Sequence, residues 1–512
     1  MDQQPGVTDV SDSVGTRKHI VLYGGTTIAL VVLLLHASLF DFVIDDAYIS
    51  LRYAQNLVNG HGLVFNPGQP VEGYSNLLWV LLGAVGLKLG IPALLWLRLL
   101  GTTATAGILL VTPGLVRRLA PNAGETAGLA AQMLIAMTGA IACWTWAGLE
   151  TPLFALLVIL GWRAALDRSA LTTCIIAILL TITRPEGVAL GAIFMGWSVL
   201  TGSTRKRRLA AVSVFVVGAA VFFLWRHAIY GYWLPNTYYA KTGDAAGQFQ
   251  TGLPYTLDFL LRYGLPLLAA GLAAGWHAGR DLPDRRALLP TAGLLLFWTG
   301  YVTVIGGDML GMFRFWVPVL PVLVITAVAA MAAARWLSRP VWATTITLVL
   351  GGVLLVSSFQ GRERRLVDIH MTEANLAGWM MAGDAMAAQL PPGASIALGP
   401  AGYIPWRTGL RTLDFYGIVT PHIAHLDVQF GHGYAGHEKT DGRWIVRQRP
   451  DYILIGNVDI TDGPRSGLIP PLDREVDLVL YGRFQREYEL INLAVGEGKY
   501  LNLFRRKGLS KR

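Results

Sequence analysis

The sequence predicts an α-helical polytopic membrane protein of about eleven crossings, followed by a C-terminal α/β domain on the extracytoplasmic side. Three observations predict it. Hydrophobic residues make up 53% of the 512 and charged ones only 15%, against ~25% charged in ordinary soluble proteins. The apolar residues are gathered into runs approaching the ~20 residues that a spanning helix needs. The basic residues fall in short groups between those runs, as loops held on the cytoplasmic side require.

Residues 1–19 are polar and read as a disordered cytoplasmic tail. The apolar run Ile20–Phe40 follows Arg17, Lys18 and His19, and exceeds the ~7–15 residues of a signal-peptide core, so it reads as an uncleaved first crossing. Further crossings are expected at 93–116, 126–146, 151–166, 170–183, 188–202, 209–228, 256–276, 288–305, 314–334 and 341–358, giving a transmembrane domain over 20–358. The basic groups are Arg117–Arg118, Arg163 with Arg168, Arg205–Arg208, Arg280 with Arg285 and Arg286, and Arg335 with Arg339. All fall on one side if the apolar stretch Asn76–Leu89 does not cross but lies along the outer interface as a juxtamembrane helix. The same assignment puts Asp41–Pro92 outside as a large first loop, together with Trp146–Thr151, Arg184–Gly187, Ile229–Tyr255, Ile305–Phe313 and everything after Ser358. Residues 359–512 then form the extracytoplasmic domain, with a helix at 370–390 and strands at Ser395–Leu398 and Tyr452–Ile455. The formal net charge of +9 is spent on these loop groups, which argues against a nucleic-acid partner. Cys143 and Cys174 lie inside apolar runs and offer neither a disulfide framework nor a thiolate metal site.

Carboxylates beside a bilayer are costly, so their gathering in the outer segments points to a site. In FVIDDAYISLRYAQNLVNGHG, Asp45 and Asp46 follow the first crossing and precede a helical stretch. A carboxylate there serves as a general base on a sugar hydroxyl or holds a cation; capping the helix is the structural role it could fill instead. Glu72, in VEGYSN, has the same two readings. Glu150, in WTWAGLETPLF, stands at a helix entry, where a carboxylate is electrostatically welcome. TRPEG places Arg184 beside Glu186: the guanidinium matches a lipid phosphate in two-pronged fashion, or pairs internally with Glu186. YWLPNTYYAKTG holds Asn236, Tyr238, Tyr239 and Lys241, suited to sugar stacking and hydroxyl bonding or to an interfacial aromatic belt. GGDMLGMFRFW holds Asp308 after two glycines and Arg314 at the start of the next crossing, where it binds a ligand or snorkels to the interface. His422, His425, His432 and His437 fall close together, but Pro421 and several glycines make their segment loop-like, so no metal site is read there.

These motifs together (DDAYISLRYAQNLVNGHGLVFNPG, EGYSN, GLETPLF, TRPEG, PNTYYAK, and GGD with RF) resemble those of the mycobacterial arabinofuranosyltransferase family and its bacterial relatives, within the GT-C class of membrane glycosyltransferases. The resemblance covers about residues 40–320, with a shorter echo at LDFYGIVTPHIA. It implies a GT-C-like fold in a bacterial cytoplasmic membrane, with a first outer loop bearing an acidic catalytic residue and a juxtamembrane helix, and a second acidic position in the next outer loop, where Glu150 stands. It implies a polyprenyl-phosphate-linked sugar as donor, most readily arabinofuranose, and a glycan or glycoprotein as acceptor. Carried over by motif, Asp45 is the favoured base, with Asp46 its near-equal neighbour; Arg184 or Arg314 would bind the donor phosphate. Glu72, Asn236, Tyr239 and Asp308 would line the sugar or acceptor pocket, with Glu150, Glu186 and Lys241 among the substrate-binding residues. No cofactor is required, although a divalent cation beside the paired aspartates is compatible with the chemistry.

Two alternatives stay open at this stage: a transferase of the same class using mannose or another hexose, and a transporter or flippase of lipid-linked sugar. Transporters place ionisable residues near mid-membrane and repeat their halves, whereas here the acidic motifs sit at loop edges and no internal repeat is present.

Overall fold

The computed structural model describes residues 8–41, 43–201, 204–278, 285–361, 364–365, 375–429, 437–467 and 469–509. Among the described residues sixteen α-helices precede Ser358: α1 (Thr8–Ser38), α2 (Asp46–Val58), α3 (Leu77–Lys88), α4 (Ala93–Leu119), α5 (Glu125–Ala136), α6 (Gly139–Trp146), α7 (Thr151–Leu166), α8 (Ala170–Thr183), α9 (Gly187–Thr201), α10 (Arg205–Tyr230), α11 (Asn236–Lys241), α12 (Ala245–Phe259), α13 (Leu265–Ala278), α14 (Arg285–Val304), α15 (Leu320–Ala333) and α16 (Pro340–Ser357). Among the described residues, four helical stretches are long and apolar enough to cross a bilayer, α12 and α13 counting as one through the π-helical turn Leu260–Gly264. Taking the bent pair α5–α6 as one span gives a fifth, and seven apolar helices of 10–17 residues accompany them. This is the pattern of a multi-pass membrane protein.

Three elements differ from the sequence reading. The tail expected to be disordered is helical from Thr8 onward, because a helix nucleated by the apolar run extends into preceding residues at little further cost. The run 126–146 is not one helix: α5 and α6 meet at 63°, where Thr138 adopts an extended backbone and its hydroxyl donates back to the Leu134 carbonyl at 2.7 Å. The run 314–334 opens with a short 3-10 turn at Arg314–Trp316, and its α-helix starts only at Leu320, since Pro318 and Pro321 lack the N–H that a helix interior needs. The segment Asn76–Leu89 does form one short helix, α3, whose 12 residues span ~18 Å against a hydrocarbon core of ~30 Å.

Five tryptophans (Trp79, Trp144, Trp162, Trp298 and Trp316) are buried to within 1% between the helices. The opposite faces stay apolar: α10 presents Val214, Val216, Val217, Val221 and Leu224 outward, a surface that lipid rather than water accommodates. The C-terminal domain opens with the helix Asn375–Gln389 and builds a six-stranded mixed sheet. Its strands are β1 (Ser395–Leu398), β2 (Arg411–Asp414), β3 (Tyr452–Ile453), β4 (Asp459–Thr461), β5 (Tyr488–Gly496) and β6 (Lys499–Arg506). They run in the order β2-β1-β3-β6-β4, with β5 also on β6. Parallel pairing of β1 with β2 and β3 gives way to antiparallel pairing around β6. The short helix Tyr403–Thr408, between β1 and β2, packs on α2 and joins the two parts of the chain.

Candidate active site

A cavity of about 380 Å³ opens at one end of the helical bundle. The segments that line it are those the charge pattern grouped on one side. Asp46, Ser50 and Asn76 come from the first loop, and Glu150 follows α6. Arg184 and Glu186 lie between α8 and α9, and Tyr238 and Lys241 on α11. Tyr301, Asp308 and Arg314 come from the end of α14 and the loop beyond it, and Ile418 from the C-terminal domain. Four carboxylates and three cations thus share one pocket.

Most of that charge is paired. Arg184 holds Glu150 at 2.6 Å and also contacts Glu186, so two chain-distant carboxylates grip one guanidinium. The second oxygen of Glu150 accepts from the Asn76 amide at 2.7 Å, and the Ser50 hydroxyl in turn donates to Asn76 Oδ1 at 3.2 Å, linking α2 to this cluster. Arg314 grips Asp308 with two N–H groups, at 2.6 and 3.1 Å. The Phe315 ring separates the two clusters, its centroid 5.4 Å from the Arg184 guanidinium carbon and 5.0 Å from that of Arg314. Among the described residues, Lys241 makes no ion pair, and its ammonium stays available to a ligand's negative charge. Asp46 is partly buried in the first turn of α2, among the lining residues.

Asp45, Glu72, Asn236 and Tyr239 do not line the cavity; they brace it. Asp45 turns to the C-terminal domain, where its two oxygens accept the backbone N–H groups of Gly402 and Tyr403, each at 2.8 Å. A side chain at 402 would place its Cβ 2.5 Å from that carboxylate, so only glycine lets the backbone approach. Glu72 is buried against Arg226 of α10 at 2.8 Å. The Asn236 amide donates to the carbonyls of Gly417 and Ile418, at 2.6 and 2.9 Å, clamping the loop that brings Ile418 to the cavity. That loop is itself wound around Asp414, whose carboxylate accepts from the N–H groups of Tyr416 and Val419. Gly73 passes so close beneath it that a Cβ would meet Val419 at 2.5 Å. Tyr239 packs at a tilt against His425, at 4.5 Å between centroids.

The sequence reading missed Asn76, Ser50 and Tyr301 as lining groups. Asn76 is a polar residue in the EGYSN motif, and that was its signal; Tyr301 is hidden in an apolar run, and Ser50 in an amphipathic helix, with none. The described histidines do not converge: His422 stacks on Trp444, His425 stacks on Tyr232 with Tyr239 tilted against it, and His437 meets Tyr416 edge-on, while His432 lies outside the described residues. Among the described residues no three His, Cys, Asp or Glu side chains gather as a metal site.

Burial dominates the titration of the bracing carboxylates. It raises Asp45 to about 7 despite its two N–H partners, Glu72 to about 7 despite Arg226, and Asp414 to about 6. A folded-state pKa above the unfolded one means that the native form binds the extra proton. Its stabilisation is full below about pH 4 and is lost as pH rises toward 7. The docking of the C-terminal domain is therefore expected to loosen between about pH 4 and 7 and to level off above. Hydrogen exchange at the Gly402 and Tyr403 amides measures this directly, and protection that increases over that range would contradict it.

A family described as a domain of unknown function (DUF8728) matches residues 367–505. The chain is 30% identical over 244 residues to the terminal beta-(1->2)-arabinofuranosyltransferase of Mycobacterium tuberculosis, a match covering 44% of this chain and 38% of that protein. It is 26% identical over 314 residues to the protein of the same name from Corynebacterium glutamicum, covering 52% of this chain and 45% of that one. The matches thus span less than half the length of either relative. The fold is similar to that of ArnT from Cupriavidus metallidurans bound to undecaprenyl phosphate, with a TM-score of 0.59 at 12% identity over 95% of this chain and 98% of the other.

Proposed function

We propose that the chain is a membrane glycosyltransferase of the GT-C class, which moves arabinofuranose from a polyprenyl phosphate to a glycan acceptor on the extracytoplasmic face of the cytoplasmic membrane. One observation carries the reading: Asp46 and Lys241 line the same cavity with two braced arginine–carboxylate clusters, in a pocket large enough for a sugar phosphate. The names of the two relatives support the sugar, and the lipid phosphate bound by ArnT supports the donor class. The alternation of basic loops supports an outward-facing cavity and C-terminal domain.

In this reading the sugar-phosphate bond breaks at the anomeric carbon while the acceptor hydroxyl attacks it. Phosphate is already a good leaving group, so the protein needs to offset negative charge rather than donate a proton. The Lys241 ammonium takes that task. Arg184 and Arg314, the sequence's candidates for it, have their charge offset by Glu150, Glu186 and Asp308 and serve chiefly to hold the cavity rigid. Asp46 accepts the acceptor's hydroxyl proton as the new glycosidic bond forms. The bracing by Asp45, Glu72 and Asn236 fixes Asp46 and Ile418 relative to each other, so that orientation supplies much of the acceleration.

The test is transfer of labelled sugar by the full chain in lipid, from polyprenyl phosphates carrying arabinofuranose, mannose or another hexose, to an arabinan oligosaccharide. Arabinofuranose is expected to be the preferred donor. Transfer from mannose alone would replace the sugar, and no transfer from any donor would remove the enzyme reading. Lys241→Ala is expected to raise the donor KM by about 10–100-fold, the worth of one charge-assisted contact, with a smaller change in kcat. An unchanged donor KM would take Lys241 out of phosphate binding.

A further inference from the structure

A second cavity of about 340 Å³ lies where α2 meets the C-terminal domain, lined by Arg52, Gln55, Asn59, His61, Trp406 and Arg407 among others. It is separate from the first. The two cavities share no lining residue: on α2, Asp46, Ile49 and Ser50 line the first, and Arg52, Gln55 and Asn56 line the second.

Its charge is one-sided. Among the described residues no aspartate or glutamate lines it, whereas two arginines do. Arg407 is half-exposed and pairs with Asp384. Arg52 is only 4% exposed, and among the described residues it has no carboxylate partner. Its Nε donates to the Phe65 carbonyl at 3.2 Å and its Nη2 to the Gly409 carbonyl at 3.0 Å, which leaves further N–H groups on the guanidinium to serve a ligand. Burial pulls its pKa down to about 10, so it remains a cation at neutral pH. A buried cation held by two carbonyl dipoles and the face of the Phe65 ring, with no carboxylate beside it, is expensive unless an anion completes it.

We propose that this cavity is a second ligand site, which takes a phosphate group through the guanidinium forks of Arg52 and Arg407. Two arginines set at the join between α2 and the helix Tyr403–Thr408 match a tetrahedral oxyanion in the two-pronged manner of arginine–phosphate contacts. An occupied site would tie the C-terminal domain to α2 at a place distinct from the first cavity. The phosphate could be free in solution or belong to the headgroup of an anionic lipid, and the two sources separate experimentally.

The experiment is isothermal titration of inorganic phosphate into the full chain in phosphatidylcholine nanodiscs, against chloride at matched ionic strength. It is run in the Lys241→Ala background to silence the first cavity. Saturable binding is expected, weakened about tenfold by Arg407→Gln at a half-exposed position and abolished by Arg52→Gln. Arg52→Lys, which keeps the charge but not the fork, is expected to fall between. Discs containing phosphatidylglycerol then assign the source: loss of phosphate binding there identifies a lipid headgroup, and undiminished binding identifies a soluble phosphate. Absence of saturable binding in phosphatidylcholine discs, or binding that neither Arg407→Gln nor Arg52→Gln weakens, would overturn the proposal.

Discussion

Asp46→Asn is expected to lower the turnover of sugar transfer by about 10²–10⁴-fold, the usual worth of a positioned proton acceptor, while the donor KM changes little. The amide keeps the size and the hydrogen-bonding reach of the carboxylate but cannot accept the hydroxyl proton. The neighbouring substitution supplies the contrast. In Asp45→Asn, one amide N–H is turned toward a backbone N–H of Gly402 or Tyr403, so a buried acceptor is replaced by a buried clash of donors. That costs about 1–3 kcal/mol of domain docking and leaves the proton acceptor in place. Asp45→Asn is therefore expected to lose thermal stability and retain a measurable fraction of turnover, and Asp46→Asn the reverse. Kinetics and melting measured on the same preparations decide it. Full turnover in Asp46→Asn would end its assignment as base, whatever Asp45 does.

The second large effect lies in the buried ion pair of Glu72 and Arg226. Both residues are exposed by 2%. The guanidinium also lies over the Phe222 ring, 4.5 Å from its centroid. Arg226→Met removes the partner of a buried carboxylate and is expected to cost about 3–5 kcal/mol. The double variant Glu72→Gln with Arg226→Met removes both charges and is expected to recover most of it. Acid should rescue the single variant in part, because burial already holds Glu72 near pH 7, and losing the arginine lets it take a proton more readily still. Thermal unfolding of the detergent-solubilised variants at two pH values measures all three. Equal melting of the single and double variants would show that the pair contributes packing alone.

How far the sequence foretold this architecture differs by level. Apolar runs and the alternation of basic loops were enough to group Asp46, Glu150, Arg184, Lys241 and Asp308 at one end of the bundle, because charge patterning acts on whole segments. The same signals could not separate Asp45 from Asp46. Neighbours on a helix turn point ~100° apart, and which of them meets the cavity depends on where the Gly402 backbone docks, a contact made by a distant part of the chain. Glu72 and Asn236 were read as pocket residues because polar groups in a bilayer protein invite a functional reading. Their partners, Arg226 and the carbonyls of Gly417 and Ile418, become visible only once the chain is folded. The kink at Thr138 was hidden for a different reason: a continuous apolar run carries no mark of where its backbone turns.

The contact between Asp45 and Gly402 also bears on how such proteins can be recombined. One peptide unit separates the residue that anchors the C-terminal domain from the residue proposed for the chemistry, so there is no hinge in which a poor fit could be absorbed. A chimaera joining this helical bundle to a foreign C-terminal half would have to reproduce the bare backbone at 402 and the Ile418 loop together. Otherwise the misfit passes directly into the register of α2. The two halves are therefore expected to be inherited and exchanged as a matched set.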